Sequence, residues 1–272
     1  MEKMDKMTIS PEEYRKCVRF TDDFFFNRVM QDKGLCRELA EVLLGVKVES
    51  VEFHETQRVL RREKHTHGIQ LDVMLEDSKR VIVFEAQMSN KGDIERRTRF
   101  YQGVLDTATL HRGSSYRSLK DTYIVFICTF DPFALGLPVY TVRQVFKEAP
   151  KKDYDDGTHA IFYNCPAWGK CQNENVRALM KYADTQIAES DFTRKVEHRI
   201  EDERQTQRLR SEYMTYQMKL DETLEEGIAI GEKRGSYERA VQTARRALKL
   251  GFTPDIVLDL TGLTEKELAE LK

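Results

Sequence analysis

Apolar and polar residues alternate in short runs between about residues 21 and 186, and most of the buried-looking pattern lies there. A first helix is expected to start at Thr21 as its cap and to carry Phe24, Phe25 and Phe26 towards Met30. A second is expected over residues 35–44, stopped by Gly45. Residues 46–53 alternate as a strand does. Ile69, Leu71 and Val73 then alternate around Gln70 and Asp72, and the apolar run 81–84 leads into Glu85 and Gln87. The polar run 76–79 between them suits a hairpin turn. Residues 95–110 carry Phe100, Val104 and Leu105 at helical spacing, with Gly113 closing the segment. Residues 121–130 are continuously apolar and rich in β-branched and aromatic side chains, as a central strand should be. Strands are also expected at 140–146 and 160–163, with a polar loop at 147–158 and a helix over 175–188. The sum is an α/β domain with a mixed sheet over residues 1–190.

The pattern changes after residue 190. Residues 194–226 favour helix and are very polar, with few apolar points and no clean heptad, so a polar helical linker or coiled coil is expected over 191–235. Gly227, Gly231 and Gly235 recur every four residues; they weaken a helix, or line one face for a close helix contact. The segment 236–272 is well punctuated. A helix over 240–250 stops at Gly251, Thr253-Pro254 starts another that Gly262 ends, and Thr264 to Glu267 is a capping-box pattern. Its charge is mixed rather than basic, which argues against DNA reading by this segment. A homodimer through the C-terminal helices is expected.

Chemistry concentrates in the hairpin. Side chains alternate faces along a strand, so Glu85 and Gln87 share one face and Ala86 points away. A turn centred on Ser78-Lys79 would set Asp72 directly across from Glu85. Acids in strands this apolar need a partner or a ligand. Two acids and an amide converging on one patch suit a hard divalent cation and phosphodiester chemistry.

Composition narrows the setting. A net charge of −2 over 272 residues gives no global pull on nucleic acid, so any polyanion site must be local. Five scattered cysteines without a CxxC pair favour a reducing compartment over a zinc ribbon or disulfide framework. With no apolar signal region or bilayer-length stretch, a soluble, cytoplasmic protein without membrane contact is expected.

An acidic N-terminal helix, Asp72 in a strand and Phe84-Glu-Ala-Gln87 on the next resemble the PD-(D/E)xK nuclease superfamily. The order is most similar to its transposase-like branch, the recombination-promoting nucleases of bacteria. Thr21 to Asn27 resembles that branch's opening D-x-x-F-K helix, with Asn27 where lysine is common. Arg97 to Tyr101 resembles its R-x-x-x-Y helix and Gly113 to Leu119 its G-x-x-Y-x-x-L turn. The resemblance implies a restriction-endonuclease-like core with a central mixed sheet flanked by helices, plus an all-α C-terminal extension. It implies a metal-dependent endonuclease for DNA, linked to recombination, transposition or defence against foreign DNA. On this reading Asp72, Glu85 and the Ala86 carbonyl hold Mg²⁺, or Mn²⁺, and Gln87 orients the attacking water. A further acid comes from the second helix, Glu38 in preference to Glu41, or from Asp23 in the first. Arg97 would hold a phosphate, and Tyr101 would stack on a base or bond a ligand carboxylate. The basic run Arg58, Arg61, Arg62, Lys64, His65 and His67 would grip the DNA backbone. The sequence departs from the superfamily pattern twice: Leu71 precedes Asp72 where proline is usual, and Gln87 replaces lysine. The second departure sustains an alternative, a weak or inactive nuclease fold used for DNA binding or assembly.

Overall fold

A computed structural model describes residues 18–48, 51, 53–60, 69–204 and 207–271. The chain divides into two compact units, residues 1–210 and 211–272.

The first unit opens with helices α1 (Asp23–Val29) and α2 (Lys33–Leu44). Asp22, not Thr21, caps α1: its Oδ1 accepts the Phe24 and Phe25 N–H groups at 3.0 and 3.4 Å. Aspartate is the stronger cap of the two, and the helix begins where it stands. Gly45 stops α2 at φ 64°, as its position predicts. Of the strand expected over 46–53, residues 46–48 and 51 are not in a strand, and 49, 50 and 52 lie outside the described residues. The Val48 N–H is taken by the Glu41 side chain at 3.1 Å, and β1 (Phe53–Leu60) begins later, with Phe53 opposite Glu76.

The main sheet has six strands in the order β1-β2-β3-β4-β8-β5. β2 (Ile69–Glu76) and β3 (Arg80–Gln87) form the expected hairpin, and β1, β2 and β3 are antiparallel. β3 then runs parallel to β4 (Asp121–Cys128), and β4 parallel to β8 (Thr158–Asn164). A parallel pair needs a crossover, supplied here by α3 (Ile94–Thr109). The two central parallel strands are the most continuously apolar in sequence, because both of their faces are covered. β5 (Val139–Val142) closes the edge, antiparallel to β8. On the α3 side, Val81, Val83, Ile124, Phe126 and Phe162 pack with Ile94, Tyr101 and Leu105 of the helix.

Two expectations fail beside β5. The strand expected over 140–146 is broken, and the loop expected at 147–158 holds a strand. β6 (Val145–Phe146) and β7 (Ala149–Asp153) form a separate two-stranded ribbon. Every residue of both is exposed, so no hydrophobic alternation marks them in the sequence.

Helix α4 (Glu174–Thr185) is capped by Asn173 and followed by α5 (Asp191–Arg204), which buries Phe192, Val196 and Ile200. Helix α6 (Gln207–Lys249) passes through Gly227, Gly231 and Gly235 without a break. A Cβ added at Gly227 or Gly231 would meet nothing within 4 Å, so these two glycines make no close helix contact among the described residues. In the second unit, the segment expected as a separate helix over 240–250 is the end of α6. It packs through Ala244 and Ala247 on α7 (Pro254–Thr261) and α8 (Glu265–Ala269), burying Val257, Leu263 and Leu268. The Thr264–Glu267 capping box forms as its residues predict. No helix among the described residues is long and apolar enough to cross a membrane.

Candidate active site

The β2–β3 ladder ends at the pair Val73 and Phe84. On either side the sheet continues: β2 stays paired with β1 back to Ile69, and β3 with β4 out to Gln87. A wedge therefore opens between β2 and β3, and acidic side chains fill it. The Asp72 N–H donates to Glu85 Oε1 at 3.2 Å, and the Ala86 N–H donates to Asp72 Oδ2 at 3.0 Å. Asp72 thus lies across from Glu85, the register that a turn at Ser78-Lys79 requires. In a strand the N–H and C=O of one residue point to the same neighbour. The Ala86 carbonyl accordingly faces the wedge, whereas the Gln87 carbonyl, on the β4 side, accepts from Thr129.

Glu85 is 2% exposed. Burial, and then the Asp72 charge, push its carboxyl well above the ordinary range against the pull of Arg97. Burial also pushes Asp72 up to about 7, with Asp23 adding to the rise and the Ala86 N–H and Arg97 opposing it. Neither acid has an ion-pair partner among the described residues. Asp23, first residue of α1, is exposed overall, yet its charge acts on both acids. Loss of water raises its own carboxyl, against Lys91 and Arg97.

Helix α3 supplies the wall. Arg97 and Tyr101 stand one turn apart on the face towards the sheet. The Tyr101 hydroxyl donates to Glu85 Oε2 at 3.4 Å, and its ring stacks 6.5 Å from that of Phe126. Burial and the Glu85 charge push the phenol upward, so it stays a neutral donor. Arg97 Nη2 donates to Gln87 Oε1 at 2.6 Å, and the guanidinium lies 5.4 Å from the Phe126 ring centre. Phe126 is the platform that sequence reading left unassigned. Its signal was an aromatic residue in a central strand, opposite Glu85 in the β3–β4 register.

The remaining candidates lie elsewhere. Both oxygens of Glu38 accept from Lys195 of α5 at 2.9 Å, in a partly exposed bridge between two helices. Glu41 caps Val48. Arg61, Arg62, Lys64, His65 and His67 fall outside the described residues, while Arg58 pairs with Glu55 at 3.4 Å.

Among the described residues no group of three or more His, Cys, Asp or Glu side chains is assembled to hold a metal. The wedge offers less than a full cage: two carboxylates and a carbonyl, with Asp23 as an outlying acid. The donor set is all oxygen and its acids lack a paired cation, so it fits a hard divalent cation that retains waters, and does not fit thiolate or imidazole metals.

The family model described as PD-(D/E)XK nuclease family transposase matches residues 21–226. No curated protein and no solved structure matches the chain.

Proposed function

The chain belongs to the PD-(D/E)XK nuclease family transposases, whose restriction-endonuclease-like fold its helix-flanked mixed sheet fits, and from that premise we propose a Mg²⁺- or Mn²⁺-dependent endonuclease acting on DNA. The observation that carries this reading is the pair of desolvated carboxyls, Asp72 and Glu85, facing each other in a split sheet with no ion-pair partner among the described residues. Asp72, Glu85 and the Ala86 carbonyl would hold the cation, and Asp23 rather than Glu38 would be the additional acid. A cation bound there supplies Lewis acidity and positive charge for phosphodiester hydrolysis. Tyr101 fixes the Glu85 carboxylate by its hydrogen bond, and the Ala86 N–H fixes that of Asp72. Gln87 presents its amide at the open end of β3. Arg97 and Tyr101 serve this site from behind, and the basic run at 61–64 is left as the DNA-backbone contact, on its charge. The biological setting we favour is strand breakage during recombination or defence.

The purified protein is expected to cut plasmid DNA with Mg²⁺ or Mn²⁺ and to stop when the cation is chelated. Cutting that persists without a divalent cation would overturn this reading. Gln87 also supports a second one, a nuclease fold kept for DNA binding. DNA binding without cleavage under any divalent cation would favour it.

The partner we infer beside DNA is a second copy of the chain. Leu220, Leu224, Ile228 and Ile230 stand exposed along α6, more apolar surface than a lone polar helix needs. Light scattering of the full chain should give a dimer mass; a monomer at micromolar concentration would sink the inference.

A further inference from the structure

We infer that Arg97 and Gln87 act as one unit, in which Arg97 fixes and polarises the Gln87 amide so that Gln87 serves the site as a charged-type hydrogen-bond donor. This rests on the nuclease reading above and deepens it. Arginine has donors only, so the amide oxygen must be the atom that faces it; turning the amide over would set two donors against each other. The contact at 2.6 Å is short, as bonds from an ionised donor are. One lone pair of the amide oxygen is then held by Arg97, and the NH₂ on the other side has no partner among the described residues. The group that the Arg97 charge strengthens is this NH₂, and it is the one we assign to the site. Its chemistry is donation to an oxygen of the phosphate.

The charge behind that donor is intact. The Arg97 guanidinium is half-buried on the Phe126 ring, its Nε–H is buried without a partner, and no carboxylate lies within ion-pair distance among the described residues. A charge in such surroundings polarises the group it bonds more strongly than it would in water. An arrangement for gripping DNA directly would instead extend the guanidinium into solvent. Here the helix α3 turn that buries Tyr101 and Ile94 also draws Arg97 inward. Arg97 is thus a positioning residue, acting through Gln87.

The test is a cycle of Arg97→Met and Gln87→Lys, with cleavage read alongside the side-chain amide signals of Gln87 in the NMR spectrum. Losing a charged donor to the reacting phosphate costs about a hundredfold in rate. Arg97→Met should show that loss, and Arg97→Lys, which keeps the charge, should recover much of it. In the Gln87→Lys background, where the ammonium carries its own charge, Arg97→Met should change cleavage less than about threefold, well short of that charged-donor effect. An equal loss in both backgrounds overturns the inference and returns Arg97 to DNA binding or packing. The amide signals of Gln87, assigned by their absence in Gln87→Lys, should shift in Arg97→Met with neither metal nor DNA present. Signals that stay in place overturn it as well, whatever the cleavage result. Failure of the nuclease reading is seen separately, as Asp72→Ala cutting like the unaltered protein.

Discussion

The two ends of the β2–β3 hairpin both bury acids, and they treat them in opposite ways. At the turn, Asp77 is 3% exposed, but its carboxylate accepts the Lys79 and Arg80 N–H groups at 2.8 and 2.7 Å and pairs with the Arg80 guanidinium at 2.9 Å. Lys120 closes the same end, bonding the Asp77 carbonyl at 2.6 Å and Glu76 at 2.9 Å. At the open end, Asp72 and Glu85 receive a few N–H and O–H donors and no paired cation. The near guanidinium, Arg97, is spent on Gln87. Burial of an acid is therefore not what marks a site. Burial of an acid whose charge the protein leaves uncompensated is, because folding would not otherwise sustain the cost.

The comparison breaks most visibly in a matched pair of alanine variants. Asp72→Ala should lower cleavage by at least about a thousandfold, since it removes a proposed ligand, and should leave the melting temperature level or higher. Asp77→Ala should do the reverse. It strands the Arg80 guanidinium and two backbone N–H groups, for a loss of about 3 kcal/mol, while cleavage by the folded fraction stays near that of the unaltered chain. Calorimetric melting and a plasmid assay on the same preparations read both arms. If Asp77→Ala cuts as poorly as Asp72→Ala while still folded, the distinction between the two ends is wrong.

This contrast explains which parts were legible in the sequence. The hairpin was, because five polar residues, Glu76 to Arg80, separate two apolar runs, and once the turn is centred on Ser78-Lys79 a period of two fixes every pair beyond it. That was enough to set Asp72 across from Glu85. The splitting of the sheet was not visible, since it depends on β2 following β1 while β3 follows β4. The surroundings of the helical acids were not visible either: Glu38, a candidate that the family resemblance implied, meets Lys195, 157 residues away, and nothing local announces it. The 145–153 ribbon escaped because its strands are exposed on both faces and carry no pattern. The Arg97–Gln87 bond escaped for another reason. Helical spacing puts Arg97 and Tyr101 on one face, but only the crossover angle decides which strand residue that face meets.

The pH dependence of stability gives the finest test of the same contrast. The Asp72 carboxyl is raised from 3.8 to about 7 in the folded chain, mainly by burial, and burial raises that of Glu85 as well. Between those limits the folded state binds more protons than the unfolded one, so stability falls as pH rises from about 4 through 7. Below about 4 both states are protonated and the acids contribute no penalty. Asp72→Asn removes the charge and keeps the shape. It should raise the metal-free stability by about 1–3 kcal/mol at neutral pH, the gain shrinking towards zero near pH 4. A divalent cation should erase the difference by stabilising the unaltered protein alone. Denaturant melts at a series of pH values, with and without Mn²⁺, measure each part. A gain that persists unchanged at pH 4 would assign it to packing, and the open end of the hairpin would then hold acids no differently from the turn.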